Sequence, residues 1–501
     1  MDEALRRQIA DAAAAARDDA RPGMRTAMHA GGRLTARERI DTLLDTGSFA
    51  EYGILTGRTG REDDTDFADG LVCGGGRVAG LPVMVAASDR SVLDGTQSDR
   101  NQRKLSRILQ IAEREHWPLV LLLDGDGARP DDPLPPPPVM VNPRGRWGLY
   151  DGLAHLNGRL PTVACILGRA LDGEAGAALL CDFCVAVRGT PIGTRETDGT
   201  LTTHPAEDYA KRGDIDRVEN TELAALLAAR QFLGYHLPDR PDRDENPDYP
   251  SIATIIPDNR RRPYDMRQVI HAFADADSTL ELQPDFGRSM LTVLARLYGR
   301  PIGIFANQPK SPLAGSIDPH AADKATRFIE MCDAYGFPLV SFIDNPGFMV
   351  GPQAEADGMA RHHARPLAAL HHRTVPLCSV QIRKAYGLGP YAMYGWGTSH
   401  NAPLLKLAWP TVESGGMSLE GAAYLVKRRE IQAAATREEA MAIRDEYAEK
   451  MRSTQSGLRA GRIFHFDDII DPLDTRTRIG EMLARTAARR FGAWRHGIEL
   501  R

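Results

Sequence analysis

Two stretches of the chain lay down the same succession of apolar and polar positions. In the first, Gly80-Leu81-Pro82-Val83-Met84-Val85-Ala86 precedes an amphipathic stretch from Lys104 to Ile111. Trp117-Pro118-Leu119-Val120 then leads into Leu121-Leu122-Leu123-Asp124-Gly125. In the second, Gly299-Arg300-Pro301-Ile302-Gly303-Ile304-Phe305 precedes Lys324 to Met331, and Phe337-Pro338-Leu339-Val340 leads into Ser341-Phe342-Ile343-Asp344-Asn345. Lysine to proline is fourteen residues in both copies, and lysine to aspartate is twenty. A further pair follows, Leu160-Pro161-Thr162-Val163 and Thr374-Val375-Pro376-Leu377, each entering a strand-like run that ends in a glycine turn. An ordered series of such matches marks a duplicated α/β domain. Within each copy, β-branched apolar runs alternate with helical periodicity, the pattern of βαβ crossovers.

Around this duplicated body, residues 1–60 read as a helical arm. Thr35-Ala36-Arg37-Glu38 forms a capping box ahead of Ile40, Leu43 and Leu44 at helical spacing. The α/β units span 70–235 and 264–435, joined by a proline-rich, charged connection over 236–263. Residues 434–461 and the last forty residues carry helical patterns, and Pro133 to Pro138 reads as a polyproline-like surface loop. The expected domains are therefore 1–245, with its arm, and 246–501.

Composition narrows the class. A chain of 501 residues exceeds one ordinary core. A formal charge of −5 and a pI near 6.3 provide no basic footprint for nucleic acid. No stretch approaches eighteen consecutive apolar residues, so no membrane span is expected. The start, Met1-Asp2-Glu3, is acidic, and the alanine run 12–16 reads as an amphipathic helix rather than a signal peptide. Six thinly scattered cysteines fit a reducing cytoplasm.

Candidate chemistry lies where a strand ends in a glycine turn and a helix departs. The two cases are Gly168-Arg169-Ala170-Leu171-Asp172-Gly173-Glu174-Ala175-Gly176-Ala177 and Arg383-Lys384-Ala385-Tyr386-Gly387-Leu388-Gly389-Pro390. Glycine lets backbone approach a ligand, and helix-start amides point outward with a positive dipole. Such amides hold developing oxyanions, at about 3–4 kcal/mol per donor in the transition state. Competing motifs are weaker. Cys181-x-x-Cys184 has no second pair and reads as structural, and His362-His363 and His371-His372 lack the spacing of a shared metal ion. Gly74-Gly75-Gly76 lacks a Walker lysine, and no lysine is flanked by methionines as in a biotin-attachment site. No metal is expected.

The chain resembles the carboxyltransferase (β) subunits of biotin-dependent acyl-CoA carboxylases, of the propionyl-CoA and acetyl-CoA carboxylase type. The resemblance rests on Gly32-Arg33-Leu34-Thr35-Ala36-Arg37-Glu38-Arg39-Ile40, Leu43 to Phe49, Ala306-Asn307-Gln308-Pro309 and Ala322-Asp323-Lys324-Ala325. Asp344-Asn345-Pro346-Gly347-Phe348, Arg383-Lys384-Ala385-Tyr386-Gly387 and Asp468 to Arg476 complete it. It implies an α/β fold of two tandem crotonase-like (ClpP/crotonase) βαβ superhelix domains with helical N- and C-terminal extensions. It also implies an oligomer, hexameric or dimer-based, whose active sites lie between the N-terminal half of one chain and the C-terminal half of another. The N-terminal half would hold a coenzyme A thioester and the C-terminal half carboxybiotin, with biotin arriving on a separate carrier protein charged by a biotin carboxylase.

Carried over by motif, Gly387, Leu388 and Gly389 form the biotin-side oxyanion hole, with Leu388 where many relatives have glycine. Asp172 and Gly173 form the acyl-side pair. Gly127, Ala128, Arg129, Gly176, Ala177 and Tyr386 are expected to line the substrate sites. The acyl half departs from the pattern at Asp126, Asp172 and Glu174. A carboxylate about 4 Å from an enolate would cost roughly 4 kcal/mol at an effective dielectric near 20. Three arrangements would reconcile this: outward side chains, a pair shifted to Gly176-Ala177, or a half that no longer stabilises a thioester enolate. The alternative functions are an acyl-CoA decarboxylase, a transferase using a non-CoA acceptor, and a non-catalytic paralogue in a mixed oligomer.

Overall fold

The computed structural model describes residues 2–57, 67–129, 148–196, 198–239, 246–260, 262–395, 402–454, 456–487 and 495–500. The Pro133–Pro138 run lies outside them. The chain divides into two compact units, Met1–Leu237 with Arg490–Arg501, and Pro238–Arg489.

The first unit opens with α1 (Glu3–Ala15), α2 (Pro22–Ala30) and α3 (Ala36–Leu43), the last starting in the expected Thr35–Glu38 capping box. Its strands are β1 (Ala50–Tyr52), β2 (Leu71–Val78), β3 (Leu81–Ser88), β4 (Leu119–Gly125), β5 (Thr162–Leu171), β6 (Phe183–Val187), β7 (Pro191–Arg195), β8 (Leu201–Pro205) and β9 (Arg217–Glu219). Between them run α4 (Asp99–Glu115), α5 (Leu149–Leu156), α6 (Gly173–Leu180), α7 (Ala206–Arg212) and α8 (Glu222–Gly234). The sheet order is β1-β2-β3-β4-β5-β6-β9, antiparallel through β3 and parallel from there on, with β7 also pairing β5.

The second unit repeats the plan. Its strands are β10 (Leu280–Leu282), β11 (Met290–Leu297), β12 (Arg300–Asn307), β13 (Leu339–Asn345), β14 (Leu377–Tyr386), β15 (Leu405–Ala408), β16 (Glu413–Gly415) and β17 (Asp468–Ile469). Its helices are α9 (Met266–Phe273), α10 (Pro319–Tyr335), α11 (Pro352–Ala356), α12 (Met359–His372), α13 (Tyr391–Tyr394), α14 (Leu419–Val426), α15 (Arg428–Ala433), α16 (Arg437–Thr454), α17 (Gly457–Arg462) and α18 (Thr475–Ala484). The order is β10-β11-β12-β13-β14-β15-β17, with β16 pairing β14 as β7 pairs β5.

Registers make the repeat exact in position. Leu119 pairs with Thr162 as Leu339 pairs with Leu377, and both ladders slip by about two residues just before Gly125↔Ala170 and Asn345↔Ala385. The spacing motif has a physical cause. Lys104 Nζ donates to the Ala68 and Leu71 carbonyls, and Lys324 Nζ to those of Gln283, Phe286 and Met290 at 2.7–3.0 Å. Each buried lysine thereby ties its helix to the start of the sheet. Pro118 and Pro338 then offer their carbonyls to Met84 and Gly303 N–H. Burial pushes the Lys324 ammonium down to about 7.

Two features differ from expectation. The arm is not wholly helical, because Ala50–Tyr52 adds an edge strand where Gly74 leaves no side chain to block it. In the tail, helix ends at Ala484, and Ile498 N–H donates to Asn157 Oδ1 at 2.6 Å in the first unit. Among the described residues no helix is long and apolar enough to cross a membrane.

Replacing Lys324 by Met strands three buried carbonyls, and about 3 kcal/mol of stability should be lost. Urea denaturation checks this; an unchanged midpoint would show that the ammonium does not secure the strand.

Candidate active site

In the second unit β14 ends at Tyr386, and Gly387 turns the chain at φ +61°. The Gly387 amide is already used, donating to Gly415 O at 3.0 Å. The Leu388 and Gly389 amides find no acceptor among the described residues, so of the three expected donors two are available. The Leu388 side chain is half exposed, which leaves its backbone approachable. Beneath the turn sits Asn345, fully buried. Its Oδ1 accepts from Gly347 N–H at 2.7 Å, while its Nδ2 has no partner. Tyr386 OH donates to the Glu413 carboxylate, which also accepts from Arg452 Nε at 2.8 Å. Alongside lies a cavity of about 930 Å³ lined by Pro346, Tyr386, Glu413, Lys310, Lys384 and Arg444.

The first unit builds the same turn from different residues. Asp172 takes the place of Gly387, at φ +52° and ψ −116°, and donates its amide to Gly193 O at 2.9 Å. Its side chain runs along β7, with Oδ1 accepting from Arg195 N–H at 2.8 Å. Oδ2 stands against Gly127, where a Cβ would collide with it. That hydrogen bond holds a non-glycine residue in a conformation that otherwise costs about 1–3 kcal/mol. Gly173 then opens α6 with an unbonded amide, and Tyr150 OH donates to its carbonyl at 2.9 Å.

The other candidates separate. Gly176 donates back to Asp172 O at 3.4 Å, and both it and buried Ala177 lie inside α6 rather than at the turn. Gly127 and Ala128 run beside Gln97, with Gln97 N–H donating to Gly127 O at 2.8 Å. The Arg129 guanidinium, 1 % exposed, is taken up by Asp69 Oδ1 at 2.6 Å and Thr96 O at 2.9 Å. Against the cost of burial, Arg90 and Arg169 hold the Asp126 carboxyl below its usual range and offset its charge.

Glu174 points beneath the turn. Burial pushes its carboxyl up to about 8, with Asp124 adding to the shift and Ser88, Gly125 and Gln97 opposing it. Neither acidic side chain of the turn is therefore free in solvent: Asp172 is pinned to β7, and Glu174 is sealed below. Tyr150 and the Glu174 pocket escaped sequence reasoning. Aligning the two halves residue by residue would have exposed the latter, since Gly125 answers Asn345 and Glu174 answers Gly389. All six cysteines are free and buried, and among the described residues no group of three His, Cys, Asp or Glu side chains could hold a metal.

Two α/β units of one plan each end a central strand in a turn with amides unbonded among the described residues, an arrangement suited to accepting a carbonyl oxygen. Residues 27–497 match the carboxyl transferase domain, and the chain belongs to that family. It is 31% identical over 510 residues to the propionyl-CoA carboxylase beta chain of Roseobacter denitrificans, covering 95% of each chain. Among solved structures, a single-chain, multi-domain long-chain acyl-CoA carboxylase superposes with a TM-score of 0.85 at 35% identity. The match covers 96% of this chain, which spans half the length of that protein. The transcarboxylase 12S hexamer with methylmalonyl-CoA bound gives 0.77 at 29% identity, covering 95% and 94%. The chain is accordingly an enzyme, a carboxyltransferase of the acyl-CoA carboxylase kind.

Asp172→Ala loses the bond to Arg195 N–H and keeps the positive φ, whereas Asp172→Gly loses the bond but relieves the backbone. Asp172→Gly should be the more stable variant by about 1 kcal/mol. Thermal unfolding of the pair measures the difference, and the reverse order would show that the turn is not strained.

Proposed function

We propose that the enzyme moves a carboxyl group between carboxybiotin and the α-carbon of an acyl thioester. The observation that carries this is the pair of matched turns, each leaving backbone N–H groups unbonded where a helix begins. The Gly173 amide holds the thioester carbonyl oxygen as enolate charge develops on it. The Leu388 and Gly389 amides hold the ureido oxygen of biotin, and the unpartnered Asn345 Nδ2 beneath them suits a neutral acceptor. When bound, carboxybiotin supplies the carboxyl group that is transferred. The chain's own contribution is electrostatic preorganisation, so no side-chain nucleophile is needed. A coenzyme A ester is the expected acyl substrate, and Gly127 and Ala128 border the acyl side.

The partners that follow are a biotin carrier protein and the biotin carboxylase that charges it. A homo-oligomer, hexameric as in the transcarboxylase 12S structure, and a cytoplasmic location complete the proposal.

The test is loss of malonyl-CoA and methylmalonyl-CoA with and without biocytin. Loss only with biocytin supports carboxyl transfer; loss without it indicates a decarboxylase. No loss in either case would overturn the coenzyme A ester assignment. A side chain at Gly389 would begin 2.7 Å from the Asn345 amide nitrogen. Gly389→Val should therefore reduce biocytin-dependent loss by about 100-fold or more while the protein stays folded by circular dichroism. Full activity would remove this turn from the reaction.

A further inference from the structure

The space beneath the two turns is filled from opposite sides. In the second unit a side chain rises from the strand end, Asn345, and the helix side is glycine, Gly389. A Cβ on Gly389 would lie 2.7 Å from Asn345 Nδ2 and 2.8 Å from Oδ1. In the first unit the strand end is glycine, Gly125, and the side chain descends from the helix, Glu174. A Cβ on Gly125 would lie 2.6 Å from Glu174 Oε2 and 2.7 Å from Oε1. The ladder shift places Gly125 opposite Ala170 and Asn345 opposite Ala385, so the two spaces correspond. In both, one buried polar atom finds no partner among the described residues: Nδ2 of Asn345 and Oε2 of Glu174. Asn345 is a neutral carboxamide with a spare donor.

We propose that Glu174 is a positioning residue of the acyl-side turn that works as an uncharged carboxylic acid, the counterpart of the Asn345 carboxamide. The inference rests on the proposed placement of the thioester at Gly173. An uncharged Glu174 carries one O–H donor, as Asn345 carries N–H, and it supports the turn without opposing enolate charge one residue away. An ionised Glu174 would add a carboxylate beneath the oxyanion.

Burial and the Asp124 carboxylate favour the neutral form and outweigh the hydrogen bonds from Ser88, Gly125 and Gln97, which favour the ionised one. From β3, Ser88 Oγ donates to Oε1 at 2.7 Å. From β4 comes the Asp124 carboxylate, already matched by Arg39 Nη1 at 2.9 Å and by Arg33. The loop before α4 brings the Gly95 carbonyl, an acceptor 2.7 Å from the same point as Oε2, and the Gln97 amide. From its own turn comes Asp172, held on Arg195 N–H. Among the described residues no cation faces the carboxyl directly, and burial pushes its pKa up to about 8. Folding therefore takes up a proton on Glu174 at any pH between the ordinary carboxyl range and about 8. That contribution to stability is full below the unfolded pKa and lost as pH rises through the folded one.

The test compares wild type with Glu174→Gln and Glu174→Gly. Biocytin-dependent malonyl-CoA loss and thermal unfolding are followed from pH 6 to 9.5. Wild-type kcat should fall about tenfold per pH unit above 8. Glu174→Gln should keep kcat within about threefold of wild type at pH 7, flatten that alkaline limb, and reduce the fall of Tm with pH. Glu174→Gly should lose at least about tenfold in kcat at every pH. An alkaline limb and Tm slope that persist in Glu174→Gln would overturn the proposal while leaving the carboxyltransferase reading intact. Glu174→Gly with the kcat of wild type would do the same. Absence of wild-type turnover would instead remove the reading itself, and the positioning role with it.

Discussion

A carboxylate buried at the carboxyl end of each central strand governs both turns. Asp124 Oδ1 accepts from Arg169 N–H and Asp344 Oδ1 from Lys384 N–H, each at 3.2 Å, at the step where the ladder shifts. The next strand is thereby lifted out of register just before it ends, and the turn that follows exposes its amides. An ion sealed in this way must be paired, since leaving it unpaired would cost several kcal/mol. The second unit pairs Asp344 from the neighbouring strand β14, through Arg383 Nε at 2.9 Å. The first unit has Gly168 at that position, where a side chain would collide with Asp124 and Arg33. Its cations come from the N-terminal arm instead, Arg33 and Arg39, with Arg39 also bound to Glu222 on α8.

That substitution gives the arm a chemical task. Thr35 and Glu38 cap α3 so that Arg39 faces inward, and the guanidinium then joins β4 to α8. The turn of the first unit is consequently supported by a segment more than eighty residues away in sequence, while in the second unit the matching cation comes from β14, the strand that leads into the turn. The same logic of exchanged origin recurs below the turns, where Glu174 and Asn345 fill one space from opposite sides. Duplication has preserved the space and the charge balance while moving the residues that satisfy them.

Much of the fold was legible because each element of the repeated motif makes a main-chain bond. The lysine reaches the strand starts, the proline carbonyl receives the β3 or β12 amide, and the aspartate sets the ladder shift. Bonds to backbone demand fixed spacing, so they survive as a pattern even when the packing side chains change. The glycine turns were legible for the same reason, and so was the capping box at Thr35. Other ties were hidden because they join distant segments. Asp45 holds the Ala79 and Gly80 amides and meets Arg230, while Asp275 holds Tyr298 and Gly299 and meets Arg476. No spacing rule links an arginine to a carboxylate nearly two hundred residues away.

The acidic residues of the first unit's turn show where sequence reasoning stops. A string of letters gives Asp172 and Glu174 equal standing as obstacles to an enolate, and the Coulomb cost is the same for either at equal distance. The fold separates them by environment. Asp172 lies along β7 with its charge on a backbone amide, whereas Glu174 is enclosed by Ser88, Gly95 and Gly125 with one oxygen unpartnered. Enclosure makes ionisation expensive, and an un-ionised acid is a donor rather than a repelling charge. On the proposed placement of the thioester, the departure that looked most damaging in the sequence is compatible with enolate chemistry, provided the pH stays below the point at which the enclosed carboxyl loses its proton.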